Sequence, residues 1–154
     1  MTVTITQESP DSPDAVMLIA GLIEYLGPLY PGWSQSGLSP DHLVRDGVAF
    51  FIMRYDEVPA GCGGLKLYGD KFAEVKRMYV RPQFRGKGLG TLMLRRLEEH
   101  ALEHGITVLR LETGIYQPEA MDLYERLGYR QIPPFPPYEK STQTLSRFYE
   151  KCIR

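Results

Sequence analysis

The chain has 154 residues, of which 43% are hydrophobic and 24% are charged, and this suits one soluble domain over residues 1–154 with a core that needs no metal or disulfide. A net charge of −1 excludes a general attraction to nucleic acid or to an anionic membrane, so any anion must bind at a local site. Two widely separated cysteines, an N-terminus without leader features and the lack of an apolar span of membrane length favour a cytoplasmic protein with free thiols.

Hydrophobic periodicity predicts the element order β-α-α-β-β-β-α-β-α-β-β, which is typical of an α/β sandwich around a mixed sheet. The predicted strands are residues 2–6, 48–55, 60–68, 72–80, 106–111, 129–132 and 145–153. The predicted helices are residues 13 to about 27, a short segment capped by Ser39, and residues 89–104 and 118–127. Strand 106–111 is apolar on both faces, as a central strand should be. Gly61, Gly63 and Gly64 indicate a β-bulge rather than the close approach of a ligand.

The turn between the fourth strand and the third helix is rich in glycine. Gly86, Gly88 and Gly90 leave the backbone free of Cβ atoms where the unpaired N–H groups of the helix start point outward. Those donors, the positive end of the helix dipole and the cations Arg85 and Lys87 together predict an anion site.

The spacing of this turn decides which phosphate motif it resembles. A Walker loop requires Ser or Thr where Gly88 follows Lys87, and a dinucleotide fingerprint requires glycine where Thr91 stands. The motif Gln83-x-x-Gly86-x-Gly88 instead resembles the pyrophosphate-binding signature of the GNAT-type N-acetyltransferases, in which such a turn holds the pyrophosphate of acetyl-coenzyme A.

A second motif strengthens this resemblance, since Ala120-x-x-Leu123-Tyr124-x-x-x-Gly128-Tyr129 is similar to another signature of that family. The resemblance implies the GNAT fold, with about seven strands in a mixed sheet and about four flanking helices. It also implies transfer of an acetyl group from acetyl-coenzyme A, without a metal, to a primary amine of a small molecule or peptide, by direct attack in a ternary complex. The alternative is a non-catalytic coenzyme A-binding sensor or interaction module. The sequence leaves open a homodimer.

The resemblance assigns cofactor contacts to the end of the fourth strand and to the glycine turn. In the family this strand bulges or diverges from its neighbour, and its backbone N–H groups polarise the thioester; by position they belong here to Met78 and Val80. Gln117 stands where the family often has a cofactor-binding asparagine, and it keeps the amide on a longer side chain. The predicted cofactor contacts are Met78, Tyr79, Val80, Gln83, Arg85, Gly86, Lys87, Gly88, Leu89, Gly90, Thr91 and Gln117.

Acetyl transfer also benefits from an acid for the departing thiolate and a base for the amine. We predict Tyr124 as the acid, because an ordinary phenol is protonated at neutral pH, although it could be a core aromatic instead. We predict Glu74 as the base, because strand alternation would place it on the same face as Lys76 and Met78. Glu74 could instead pair with Lys76 or Arg77, and water chains serve as the base in many relatives.

Other residues have plausible but weaker roles. His100 and His104 match the H-x-x-E-H spacing of a zinc protease, but a satisfied histidine pair near the helix end is the simpler interpretation, and we expect no metal. Cys62 and Cys152 have no neighbouring histidine in the sequence that would activate them as nucleophiles. Aromatic residues that could border the amine pocket are Tyr30, Trp33, Tyr116 and Tyr138.

Overall fold

A seven-stranded mixed sheet forms the centre of a computed structural model of the chain, with the strand order β1-β2-β3-β4-β5-β7-β6. The structure describes residues 1–31, 39–136, 138 and 145–154. The strands are β1 (Val3–Glu8), β2 (Ala49–Tyr55), β3 (Val58–Tyr68), β4 (Phe72–Val80), β5 (Val108–Gly114), β6 (Arg130–Ile132) and β7 (Ser146–Cys152). The helices are α1 (Pro13–Leu26), α2 (Pro40–Arg45), α3 (Leu89–Glu103) and α4 (Pro118–Arg126). The predicted fold class and element order are confirmed.

Local sequence explains where the helices begin. The Ser12 hydroxyl accepts a hydrogen bond from the Ala15 N–H at the start of α1, and the Ser39 hydroxyl accepts one from the His42 N–H at the start of α2. In contrast, α3 begins after Gly88 without any side-chain cap. Its first N–H groups therefore need another partner.

The helices cover the two faces of the sheet. Side chains alternate along β2, so that Phe50 and Ile52 pack toward α1 and α2 whereas Phe51 and Met53 pack toward α3. The α1-side core consists of Ala15, Leu18, Ile19, Leu22, Leu43, Val48, Phe50, Ile52, Cys62 and Tyr79. The α3-side core consists of Phe51, Met53, Ala60, Leu65, Ala73, Val75, Leu89, Met93, Leu94, Leu97, Ala101, Ile106, Leu109, Leu111, Tyr124, Tyr129, Tyr149 and Ile153.

Strand β5 differs from its prediction in both position and burial. It begins two residues later because the Ile106 N–H bonds back to the carbonyl of Ala101 and completes the end of α3. It continues to Gly114 because β7 pairs with every residue of β5. The expectation of two apolar faces is wrong, since Leu109 and Leu111 are buried whereas Arg110 and Glu112 are only half-buried on the opposite face.

None of the helices within the described ranges is both long enough and apolar enough to span a bilayer.

Candidate active site

A β-bulge interrupts β4 opposite Gly63. Cys62 pairs with Tyr79 and Gly64 pairs with Lys76, so that both Arg77 and Met78 face Gly63. Arg77 adopts a left-handed backbone conformation with φ of 54°. The sequence predicted a bulge at these glycines, and the structure confirms it, with the extra residue on β4.

The bulge reverses the side-chain alternation along β4. Glu74 pairs with Lys76 on the α1 side of the sheet, whereas Met78 packs against the α3-side core. The expectation that Glu74, Lys76 and Met78 share one face is therefore wrong, because the inserted residue shifts the alternation by one position. Tyr79 turns its ring into the α1-side core.

Strands β4 and β5 separate just before this bulge. They pair in parallel at only three positions, where residues Ala73, Glu74 and Val75 face Leu109, Arg110 and Leu111. Strand β4 nevertheless continues to Val80 and β5 to Gly114. The remaining residues of β4 thus have no ladder partner in β5, and a gap opens between the two strands.

A cavity of about 620 Å³ lies beside the end of β4 that does not pair with β5, between α1, the glycine turn and α4. Ten of the twelve predicted cofactor contacts line it: Met78, Tyr79, Val80, Arg85, Gly86, Gly88, Leu89, Gly90, Thr91 and Gln117. Gln83 and Lys87 are exposed and lie outside the lining residues. The lining also includes Leu22 and Tyr25 of α1, which sequence reasoning did not assign to the site.

The glycine turn has the backbone that an anion site needs. Gly86 and Gly88 have φ of 80° and 76°, and a Cβ at either would meet no atom within 4 Å. Glycine is therefore required here for backbone conformation and not for space. Because α3 has no side-chain cap, the N–H groups of its first turn remain available beside the cavity. These donors and the helix dipole suit a diphosphate, so the residues present fit coenzyme A.

Arg85 is held beside this turn. Its Nε donates a hydrogen bond to the carbonyl of Val80, 2.9 Å away, and its guanidinium lies 4.6 Å from the centre of the Tyr25 ring. The cation is thus positioned by β4 and α1 together.

Tyr124 is both a core residue and a cavity residue. Its side chain is buried and packs against Tyr129 and Tyr149, with ring centres 5.9 Å and 6.2 Å away, yet it also lines the cavity. The two neighbouring phenols donate hydrogen bonds to glutamates, whereas burial alone raises the pKa of Tyr124. The two interpretations of Tyr124, core aromatic and candidate acid, are therefore compatible.

Glu74 is almost fully buried and already has three partners. Its carboxylate accepts hydrogen bonds from Tyr68 Oη at 3.1 Å and from Tyr138 Oη at 2.8 Å, and Lys76 Nζ lies 3.7 Å away. This pairing with Lys76 was predicted from the sequence as the alternative to a role of Glu74 as the base. Glu74 does not line the cavity.

Glu112 is a second carboxylate near the gap, and like Glu74 it is not among the residues that line the cavity. It lies on the α1 side of β5, one residue beyond the last position paired with β4, and accepts a 2.7 Å hydrogen bond from Ser146 Oγ. Burial raises the pKa of Glu112, the negative charge of Glu74 adds to the rise, and the Ser146 hydrogen bond opposes it. Glu112 was not predicted from the sequence, because the predicted strand ended at Leu111.

The structure brings together only some of the predicted pocket aromatics. The rings of Tyr30 and Tyr116 lie 5.4 Å apart beside Gln117, whereas Tyr138 lies with Glu74. Trp33 lies outside the described residues.

Among the described residues that line the cavity, none is a histidine or a cysteine. Burial lowers the pKa of His100, whose ring packs against Phe51 and His104. In the part of the chain that the structure describes, no group of three or more His, Cys, Asp or Glu residues is arranged to hold a metal. Burial raises the pKa of the Cys62 thiol to about 12, which makes it a poor nucleophile.

Known proteins match this chain along most of its length. The model of the acetyltransferase (GNAT) family matches residues 19–129. An IAA acetyltransferase from Azospirillum brasilense is 39% identical over 152 residues, covering 98% of each chain. A solved structure from Klebsiella pneumoniae, described as an acyl-CoA N-acyltransferase, is 35% identical with a TM-score of 0.82 and covers 99% of this chain and 98% of that one. The PaiA N-acetyltransferase of Thermoplasma acidophilum, solved with coenzyme A, is 20% identical and has a TM-score of 0.79. The match covers 99% of this chain and 100% of that one, and it supports the fold. The chain therefore belongs to the acetyltransferase (GNAT) family and is an acetyl-coenzyme A-dependent N-acetyltransferase.

Proposed function

We propose that the chain transfers the acetyl group to a primary amine of a small molecule or peptide, by direct attack in a ternary complex. The observation that carries this proposal is the cavity that joins the glycine turn to Tyr124 and to the end of β4 that borders the gap between β4 and β5. The cavity lies at the edge of that gap, so an acceptor could approach from the α1 side while the cofactor lies along α3 and α4. Such an arrangement favours direct transfer, because both reactants would be held at one point.

The cofactor would be held mainly by the backbone. The N–H groups of Gly86, Gly88 and the first turn of α3 would bind the diphosphate, with Arg85, Lys87, Gln83 and Thr91 beside them. The N–H groups of Met78 and Val80 would bind near the thioester. When bound, acetyl-coenzyme A supplies an activated acetyl group.

Tyr124 is proposed to protonate the departing thiolate. A pKa raised by burial keeps this phenol protonated at neutral pH, and its O–H can hydrogen-bond the sulfur as negative charge develops there. The ring is fixed by its packing against Tyr129 and Tyr149. The side chain therefore loses little conformational freedom when its O–H donates the proton to the thiolate.

The proton of the amine requires an acceptor on the α1 side of the gap. Glu74 was our prediction from the sequence, but its two oxygens already accept hydrogen bonds from two tyrosines. Glu112 lies closer to the open part of the gap, and its raised pKa brings proton uptake nearer to neutral pH. We propose Glu112 as the base, with Glu74 as the competing candidate.

A substrate panel tests the proposal. Calorimetry should detect acetyl-coenzyme A binding, and thiol release should increase with at least one primary amine among polyamines, amino acids, arylalkylamines and short peptides. Gly86→Val is the control, because a side chain at this positive φ strains the turn and should prevent cofactor binding. Transfer only to hydroxyl or thiol acceptors would overturn the amine assignment.

The remaining predictions concern the protein as a whole. Sedimentation of the full chain tests the homodimer, and fractionation of its native cells tests the cytoplasmic location. The proposed partners are the amine and acetyl-coenzyme A, with no nucleic acid or membrane.

A further inference from the structure

Tyr30 and Gln117 are 87 residues apart in the sequence and meet at the edge of the cofactor cavity. Tyr30 follows the turn that ends α1, and Gln117 is the residue immediately before α4. The Tyr30 Oη lies 3.2 Å from Gln117 Oε1 and 3.1 Å from the backbone nitrogen of Tyr116. Gln117 Oε1 also lies 3.3 Å from the backbone nitrogen of Gly114.

Backbone N–H groups fix the direction of each of these hydrogen bonds. An amide N–H can only donate, so the atom of Gln117 that faces the Gly114 N–H must be the oxygen. Likewise, Tyr30 Oη must accept from the Tyr116 N–H and therefore directs its own hydrogen to Gln117 Oε1. The orientation of the Gln117 amide is thus set by two donors, one from Gly114 and one from Tyr30.

The position of Tyr30 is fixed by packing. A Cβ at residue 114 would clash with Oη and Cζ of Tyr30, so the phenol rests directly on Gly114. The Tyr30 ring also packs against the Tyr116 ring, with ring centres 5.4 Å apart. Only glycine at position 114 permits this approach.

Gln117 lines the cavity, and its Oε1 already accepts two hydrogen bonds. Its Nε2 is therefore the side-chain atom that can donate to a ligand in the cavity. Coenzyme A contains amide carbonyl groups that accept hydrogen bonds. We propose that Tyr30 is a positioning residue that orients Gln117 so that its Nε2 donates to the cofactor. This inference rests on the proposed cofactor site, and it makes acetyl-coenzyme A affinity depend on a residue of the α1–α2 connection.

A double-mutant cycle tests whether Tyr30 acts through Gln117. Tyr30→Phe keeps the ring and removes the O–H, and Gln117→Ala removes the amide. Each should weaken acetyl-coenzyme A binding by roughly two- to tenfold in calorimetry without an acceptor present, as expected for one hydrogen bond. The double variant should bind no more weakly than Gln117→Ala alone, because Tyr30 has nothing left to orient. Independent, multiplicative losses would overturn the proposal, as would unchanged affinity in Tyr30→Phe.

Two further variants separate orientation from a general structural effect. Tyr116→Phe keeps the ring stack and the backbone donor, and should bind the cofactor like the wild type. Gln117→Glu can still accept from Tyr30 and Gly114 but offers an oxygen in place of Nε2, so it should weaken binding at least as much as Gln117→Ala. Wild-type affinity in Gln117→Glu would contradict the assigned amide orientation. Failure of the wild-type chain itself to bind acetyl-coenzyme A would instead refute the proposed function.

Discussion

The Cys62 thiol donates a hydrogen bond to the backbone carbonyl of Arg77, with 3.3 Å between Sγ and the oxygen, beside the bulge of β4. The carbonyl of Arg77 and the N–H of Met78 belong to the same planar trans peptide and therefore point in opposite directions. Because Cys62 lies in the α1-side core, its bond directs the Met78 N–H away from that core. The thiol, whose pKa burial raises to about 12, remains protonated and able to donate.

We predict that Cys62→Ala lowers transfer more than Cys62→Ser does. Loss of the donor removes one hydrogen bond that orients the Arg77–Met78 peptide, which should reduce kcat/KM for the amine by about threefold to tenfold, as expected for a weak hydrogen bond. Serine retains a donor of similar size and should recover most of the activity. Steady-state kinetics and thermal melting on both variants provide the measurement. Equal kinetics in the two variants would show that the bond does not position the bulge.

Sequence alone located the parts of the site that depend on local spacing. The glycine turn needs only positive φ at Gly86 and Gly88 followed by a helix start, and Tyr124 follows from spacing within one helix. The other features depend on pairing between strands that are distant in the sequence, which local spacing does not show. The bulge reverses the side-chain alternation of β4 through the register with β3, and Glu112 belongs to β5 because β7 extends the pairing of that strand to Gly114.

Tyr124→Phe should lower kcat by about ten- to a hundredfold and leave acetyl-coenzyme A affinity within about twofold, because the ring keeps its packing and only the proton donor is lost. Calorimetry and single-turnover kinetics separate the two quantities. A donor acetyl thioester with a more acidic thiol leaving group should restore part of the rate. If the rate of the variant equals that of the wild type, Tyr124 is a core residue alone.

Glu74→Gln and Tyr138→Phe form a matched pair that tests whether Glu74 is an anchor or a base. The buried carboxylate binds Tyr138 and Tyr68, so removal of its charge should cost about 1 to 3 kcal/mol of stability. If Glu74 serves mainly to anchor Tyr138, both variants should raise the KM of the amine by similar factors and leave kcat nearly unchanged. A large loss of kcat in Glu74→Gln alone would restore Glu74 as the base.

Glu112→Gln should reduce kcat/KM for the amine by about a hundredfold while acetyl-coenzyme A affinity is retained. The wild-type pH profile should lose activity as the pH falls through the raised pKa of Glu112, because the protonated carboxyl cannot accept the proton of the amine. This acid limb should be absent in Glu112→Gln. Initial rates across pH, with the amine below its KM, give both results, and an unaltered acid limb in the variant would assign it to another group.

Glu112 should also affect how the free energy of unfolding depends on pH, and this effect can be measured without catalysis. Because burial raises its pKa above the ordinary carboxyl value of 4.5, the folded chain retains a proton that the unfolded chain releases between the two pKa values. The stabilising contribution is therefore complete below the unfolded pKa and is lost as the pH rises through the folded pKa. Glutamine carries no charge and can still accept from Ser146, so Glu112→Gln should gain stability relative to the wild type at about pH 7 and lose that advantage at about pH 4. Urea unfolding of both proteins at the two pH values measures the difference. A constant difference between the proteins would mean that the carboxylate is as well solvated in the folded chain as in the unfolded one, and Glu112 would then lose the raised pKa on which its role as base depends.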